Sequence, residues 1–269
     1  ELTEEQRELK SLARKFAEQE IIPRAREYDE KETFPRDVCE KAFAAGLINF
    51  GVPRELGGPG LDILETCLIS EEINYGCSGI ANSIAANDLA TLPLLIAGND
   101  EQKRTYLGGL MKKLSFCAFA ITEPGAGSDV AGMSTSYRRE GDEFVLNGTK
   151  HFISNGSMAD WIVTFATADK RLKHKGISAF VFPSNLPGIS RRRMHGKLGQ
   201  RAADTAEIFY EDLRIPASAM VGREGEGFKM LMSMLQQERL SIAIGSIASS
   251  RRALDDTVAY VKQRHAFGK

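Results

Sequence analysis

The sequence predicts an α+β multidomain chain: an N-terminal α-helical domain over residues 1–112, a middle β domain over 113–223 and the start of a C-terminal helical domain over 224–269. Three observations predict it. Apolar residues recur at helical spacing in the first part, and alternate or run together between turn dipeptides in the second. The third part is a proline-free stretch rich in Ala, Leu, Met, Gln and Arg.

In the first part, Leu2, Leu9, Leu12, Ala13, Phe16 and Ile21 recur at helical spacing, with Glu8, Arg14 and Lys15 between them. Pro23, the turn Thr33-Phe34-Pro35, the loop Gly57-Gly58-Pro59-Gly60, the stretch 76–79 and Pro93 cut this region into several helices. From Leu114 the pattern changes to strands, with Phe144 and Leu146 alternating, apolar runs at 161–165, 177–182 and 206–210, and stops at Pro183 and Pro216. After the Gly-rich turn 222–227, a helix is predicted over 228–264. So long a helix needs partner helices, and the chain reads as cut short inside a helical domain.

Composition narrows the function. Lys+Arg number 35 and Asp+Glu 36, a formal net charge of −1, which argues against a phosphate-neutralising nucleic-acid binder. With 42% hydrophobic and 26% charged residues, the chain can bury a core without staples. Cys39, Cys67, Cys77 and Cys117 are widely spread without a C-x-x-C pair and only four His accompany them, so neither a disulfide framework nor a metal site is expected. That cysteine usage fits a reducing compartment, cytoplasm or an organelle matrix. No apolar run approaches the roughly 18 residues of a membrane span. The acidic first residues do not form a signal sequence, and the absence of an initial Met leaves room for a removed transit peptide.

Three clusters could carry chemistry. In Thr122-Glu123-Pro124-Gly125-Ala126-Gly127-Ser128-Asp129, two glycines and a serine let backbone N–H groups approach a phosphate, although a plain turn would read the same way. In Phe152-Ile153-Ser154-Asn155-Gly156, an aromatic ring and a hydroxyl two residues apart share one face of an extended segment. Such a pair could stack on a ring and bond its edge, or could simply be core followed by a turn. On the long helix, Phe228, Leu231, Leu235, Ile242 and Gly245 form a three-four stripe, and Glu238 takes the slot that should be apolar. Burial would raise its pKa toward that of a general base; the competing reading is a structural ion pair, with Arg239 as the local candidate.

These clusters, in this order, resemble the acyl-CoA dehydrogenase family. The resemblance rests on 119–129, on Asn147-Gly148-x-Lys150 with Ile153-Ser154-Asn155-Gly156, on Gly199-Gln200-Arg201, on 209–216 and on the closing Arg264-x-x-Phe267-Gly268-Lys269. Ile69-Ser70-Glu71-Glu72 and Ala97-Gly98-Asn99-Asp100 look like the medium-chain branch, while the Glu238-Arg239 pair resembles the isovaleryl and long-chain branches.

The resemblance implies a β-barrel-like middle domain, a C-terminal four-helix bundle of which the first long helix is present, and FAD between them. By position it assigns Phe119, Ile121, Thr122 and Ser128 to the flavin and pyrophosphate, Phe152 and Ser154 to the isoalloxazine, and Arg264 and Phe267 to a neighbouring subunit's FAD in a dimer or tetramer. Phe152 and Ser154 stand where the medium-chain branch usually has Trp and Thr. Ser128, Leu235, Arg239 and Ala85 are the implied acyl-CoA contacts, Ala85 replacing a Glu at the bottom of the medium-chain acyl site. The implied reaction is α,β-dehydrogenation of an acyl-CoA to a trans-2-enoyl-CoA: Glu238 removes the α-proton as a β-hydride leaves for flavin N5, with an electron-transfer flavoprotein as acceptor. The implied place is bacterial or archaeal cytoplasm or the mitochondrial matrix. Two alternatives share these motifs: a non-catalytic homologue acting as a binding or assembly subunit, and an oxygen-using, acyl-CoA oxidase-like flavoenzyme.

Overall fold

Thr3 opens the first helix because its hydroxyl accepts from the Gln6 amide while the Gln6 side chain bonds back to the Thr3 amide. In the computed structural model, which describes residues 1–268, α1 (Glu4–Phe16) passes through a π turn at Ala17–Ile21 into α2 (Ile22–Lys31), where Pro23 sits harmlessly in the first turn. Lys269, the last residue of the closing motif, lies outside the described residues. Next come α3 (Arg36–Ala44) and α4 (Ile63–Gly76), the latter opened by a reciprocal Asp62–Glu65 cap. The helical part ends with α5 (Ser78–Ala97), α6 (Asp100–Gln102), a second π turn at Lys103–Leu107 and α7 (Gly108–Lys112).

The expectation that no segment is long and apolar enough to cross a membrane is corrected at α5. Its 20 residues include a window of mean hydropathy 1.3, long and apolar enough to span a bilayer by length and composition. Asn82, Ser83, Asn87, Asp88 and Thr91 interrupt the apolar run, which is why it escaped a search for uninterrupted hydrophobicity. In the fold, Ile80, Ile84, Ala90 and Leu94 of α5 are buried, as a central core helix requires.

The middle part is one mixed sheet built from β1 (Cys117–Ala120), β2 (Ser136–Glu140), β3 (Glu143–Ser154), β4 (Trp161–Thr167), β5 (Ile177–Pro183), β6 (Ile189–Arg193), β7 (Thr205–Pro216) and β8 (Met220–Val221). The strand order is β6-β7-β3-β2-β4-β5-β8, with β1 lying parallel to β4. β4 and β5 are buried on both faces and so read as continuous apolar runs, whereas β7 is covered on one face along much of its length and alternates there. One side of the sheet closes over Tyr137, Phe144, Ile162, Phe180 and Tyr210. The other side packs Phe119, Trp161, Val163 and Phe165 against Leu94 and Leu107 of the helical part and Leu231 and Met234 of the last helix.

That last helix, α8 (Gly227–Gln263), lies against α4 and α5. Gly227 and Gly245 make the close approach: a Cβ on Gly227 would stand 2.9 Å from the Ile177 carbonyl, and one on Gly245 would stand 3.1 Å from Asn74 Oδ1. The inner stripe runs through Met230, Leu231, Met234, Glu238, Ser241, Gly245 and Ala248. Ile242, expected in that stripe, is instead 69% exposed. At about 100° per residue the seam passes through Ser241 and leaves its neighbour on the outer face.

Candidate functional site

The site grows from the place where β1 leaves the sheet. Phe119, opposite Val163 on β4, is almost fully buried, its ring meeting that of Phe165 edge-on at 5.3 Å between centroids. Ile121 and Thr122 follow, both half-buried. Their carbonyls are tied to β3: the Lys150 ammonium donates to Ile121 at 3.1 Å and the His151 amide to Thr122 at 2.8 Å. Lys150 is fully buried and pairs with Glu123 at 2.8 Å, while the Thr135 amide donates to the same carboxylate oxygen at 2.9 Å and the Ser134 amide to the other. Burial alone would push the Glu123 carboxyl up, but the Lys150 ammonium and these donors hold it below its ordinary value. Burial pulls Lys150 down to about 8 against the opposing pull of Glu123.

Beyond this anchor the glycine loop opens outward. Glu123 and Ala126 exchange two backbone hydrogen bonds, and Gly125, Gly127 and Ser128 are exposed; a Cβ on either glycine would meet nothing within 4 Å. Its backbone is therefore open to an incoming anionic group.

Phe152 and Ser154 stand beside that exit on β3, but not on one uninterrupted extended face as the spacing predicts. The ladder to β7 slips between Lys150 and Ile153, and Phe152 takes φ 58°, a left-handed conformation that costs energy for an aromatic residue. The slip carries the Phe152 ring outward, 61% exposed, with the His151 ring edge-on to it at 4.0 Å; Ser154 is half-buried. Asn155, also left-handed at φ 57°, closes the bulge. It is held by a buried amide network: Asn155 Nδ2 lies 3.4 Å from Asn87 Oδ1, Asn87 Nδ2 donates to Asn49 Oδ1 at 2.9 Å and to the Ser115 carbonyl at 3.0 Å, and the Cys117 amide donates to Asn87 Oδ1 at 2.9 Å. That network fastens the β3 bulge to α5 and to the start of β1.

The third component comes from α8. Leu235 packs against the cluster that contains Phe119 and Ile121, and Glu238 follows one turn later, half-buried. Burial raises its carboxyl above the ordinary value. The alternative of an ion pair with Arg239 is not met: Arg239 is exposed, and among the described residues Glu238 forms no salt bridge. Sequence reasoning missed Asp88 on α5, whose carboxyl is pushed up to about 7 by burial, with the nearby charge of Glu238 adding to the effect. The available signal was an acid within an apolar helix, three residues beyond Ala85. Ala85 itself packs with the cluster of Leu47, Ile84 and Phe116, away from the one around Phe119. Arg264 and Phe267 follow the end of α8, both exposed, so this chain does not bring them to the other site residues.

A solvent-facing ring held in a strained backbone, next to an open glycine loop and a half-buried acid, suits a flat aromatic group with a phosphate tail. FAD fits that description. The residues that would hold it are Ile121, Thr122, Ser128, Phe152 and Ser154.

The chain matches the family models of the acyl-CoA dehydrogenase N-terminal domain over residues 3–113, middle domain over 118–213 and C-terminal domain over 225–269. A probable medium-chain specific acyl-CoA dehydrogenase 2, mitochondrial, of Caenorhabditis briggsae is 39% identical over 271 residues; the match takes in 100% of this chain and 66% of that relative's length. A chain in the structure of the electron transferring flavoprotein of Acidaminococcus fermentans is 36% identical, with a TM-score of 0.94 and coverage of 100% of this chain and 71% of that one. A glutaryl-CoA dehydrogenase from Mycobacterium smegmatis, solved in complex with FADH2, is 30% identical with a TM-score of 0.91, over 100% of this chain and 68% of that one. The three domain matches in order, and the likeness of sequence and fold along the whole chain, show that it belongs to the acyl-CoA dehydrogenase family.

Proposed function

We propose that the chain, in the protein it belongs to, carries out FAD-dependent α,β-dehydrogenation of an acyl-CoA thioester, with Glu238 as the base that removes the α-proton. The observation that carries this reading is the position of Glu238: an acid with no ion-pair partner among the described residues, in the α8 seam, one turn past the Leu235 that packs with Phe119 and Ile121. A half-buried carboxylate without a cation is costly to the fold and is made more basic by the same burial. When bound, FAD supplies the acceptor for the hydride from the β-carbon.

The chain's own residues do the rest. Glu123 and Lys150 fix the exit of β1, so that Ile121 and Thr122 present a rigid edge. The Phe152 ring and Ser154 hydroxyl offer a stacking surface and a hydrogen bond to the flavin, and the open loop at Gly125, Gly127 and Ser128 receives its phosphates. Leu235, Arg239 and Ala85 are assigned to the acyl-CoA, and Arg264 and Phe267 to the FAD of a neighbouring subunit in a dimer or tetramer. An electron-transfer flavoprotein is the proposed acceptor, in keeping with the Acidaminococcus neighbour. Mitochondrial matrix or bacterial cytoplasm is the proposed location, in keeping with the mitochondrial relative.

The test is anaerobic mixing of the flavin-loaded protein with a panel of acyl-CoAs. Bleaching of the flavin by at least one member is expected, without peroxide release when air is admitted. No bleaching by any acyl-CoA would leave the non-catalytic reading, and stoichiometric peroxide would favour the oxidase.

A further inference from the structure

Asp88 is the least satisfied acid in the described structure. Part of the residue is accessible, yet both carboxylate oxygens are buried; the Gly51 and Phe50 amides partly offset that burial, but no well-formed hydrogen bond and no cation reaches either oxygen among the described residues. Its neighbours on α5 are fully engaged: Asn87 anchors the amide network, and the Thr91 hydroxyl donates to the Asp88 carbonyl at 2.8 Å. Buried polar atoms are nearly always bonded, so two orphaned oxygens on one carboxyl call for an explanation.

The groups around Asp88 supply one. The charge of Glu238 on α8 reaches Asp88 and raises its carboxyl, while the backbone amides of Gly51 and Phe50, in the loop after α3, oppose that shift; the neighbouring Cys117 thiol donates to the Asn87 carbonyl at 3.6 Å. No cation among the described residues makes an ion pair with either acid. Two carboxyls in one dry seam without a cation cannot both ionise cheaply, and the proton settles on the one that loses more hydration by ionising. Asp88 has its oxygens fully withdrawn from water, while Glu238 is only half-buried.

We propose that Asp88 is a positioning residue that holds one proton on behalf of the Asp88–Glu238 pair, so that Glu238 faces the substrate ionised. The proposal rests on the reading of Glu238 as the base. When the α-C–H bond breaks and an O–H bond forms on Glu238, the negative charge opposite Asp88 disappears and the repulsion that kept its proton in place is relieved. Glu238 therefore works as a base whose charge is balanced by a neutral acid rather than by a cation. A cation at that place would make it less basic.

The sign of the linkage gives a readout independent of catalysis. The Asp88 pKa is raised from 3.8 to about 7 in the fold, so the folded chain binds more protons than the unfolded one between those values. Asp88 therefore makes stability fall as pH rises from about 4 to about 7.

The experiment uses the purified protein with and without FAD, and the variants Asp88→Asn, Asp88→Ser and Glu238→Gln. Infrared difference spectra should show a protonated-carboxyl C=O band titrating near pH 7, absent in both Asp88 variants. In Glu238→Gln its midpoint should drop by about half a pH unit or more. Denaturant titrations should show a shallower fall in stability between pH 4 and 7 in whichever Asp88 variant folds better. In the holoenzyme, an inflection near pH 7 in the rate of flavin reduction should vanish in Asp88→Asn. A band that survives Asp88→Asn, or a midpoint unmoved by Glu238→Gln, would overturn the proposal. Flavin reduction in Glu238→Gln at the parental rate would instead sink the base assignment, and the infrared midpoint separates the two failures.

Discussion

Glu123 and Asp88 are both carboxylates withdrawn from water, one in the sheet and one in the helical part, and their surroundings are opposite. Glu123 has a cation at 2.8 Å and backbone amides on both of its oxygens. Asp88 has no cation and no well-formed hydrogen bond on either oxygen among the described residues, only the partial support of the Gly51 and Phe50 amides, and the charge that reaches it is of its own sign. The difference separates two uses of buried charge. A satisfied pair fixes backbone: Lys150 and Glu123 clamp the β1 exit to β3 and leave no reactive acid. An unsatisfied pair costs stability and gains basicity, which a reaction that begins by removing a carbon-bound proton can use.

The comparison can be broken at several points. The largest effect is expected at Glu238: Glu238→Gln in the flavin-loaded protein should slow flavin reduction by about 10²- to 10⁴-fold, read by stopped-flow absorbance, with folding unchanged. Next, Lys150→Ala should cost about 3–5 kcal/mol in denaturant unfolding, because Glu123 would be left buried without its cation. Removing both charges together, Lys150→Met with Glu123→Leu, should cost less than Lys150→Ala alone. In the other region the sign reverses: Asp88→Asn should stabilise the fold at pH 8, on the order of 2 kcal/mol, with little gain at about pH 3, below both pKa values, where the acid is protonated in both states. The smallest effect is expected at Asn155→Ala, about 1 kcal/mol in the same unfolding assay, from the lost amide bond and the left-handed backbone.

Much of the architecture was legible because it follows local rules. The apolar spacing of Leu9, Ala13 and Phe16 reads as a helix, which α1 is, and the apolar run at 161–165 reads as a strand, which β4 is. Glu238 stood out as a polar residue in an apolar stripe. What stayed hidden depends on tertiary placement. Ile242 looks like a stripe residue, but the close approach of Gly245 to Asn74 sets the helix face and turns Ile242 outward. The left-handed turn at Phe152 has no marker in its residue type, and the amide network that fixes the nearby left-handed Asn155 comes from Asn49 and Asn87, more than sixty residues upstream. Asp88 looks like an ordinary polar position on α5 until α8 is laid across it.

The role of the α8 seam depends on whether Glu238 takes a proton from carbon. Its most direct test is solvent-deuterium exchange at the α-carbon of a non-oxidisable acyl-CoA bound to the flavin-loaded protein, followed by mass spectrometry. Exchange is expected in the parent, slower exchange in Glu238→Asp and none above background in Glu238→Gln. Exchange in Glu238→Gln at the parental rate would contradict that role.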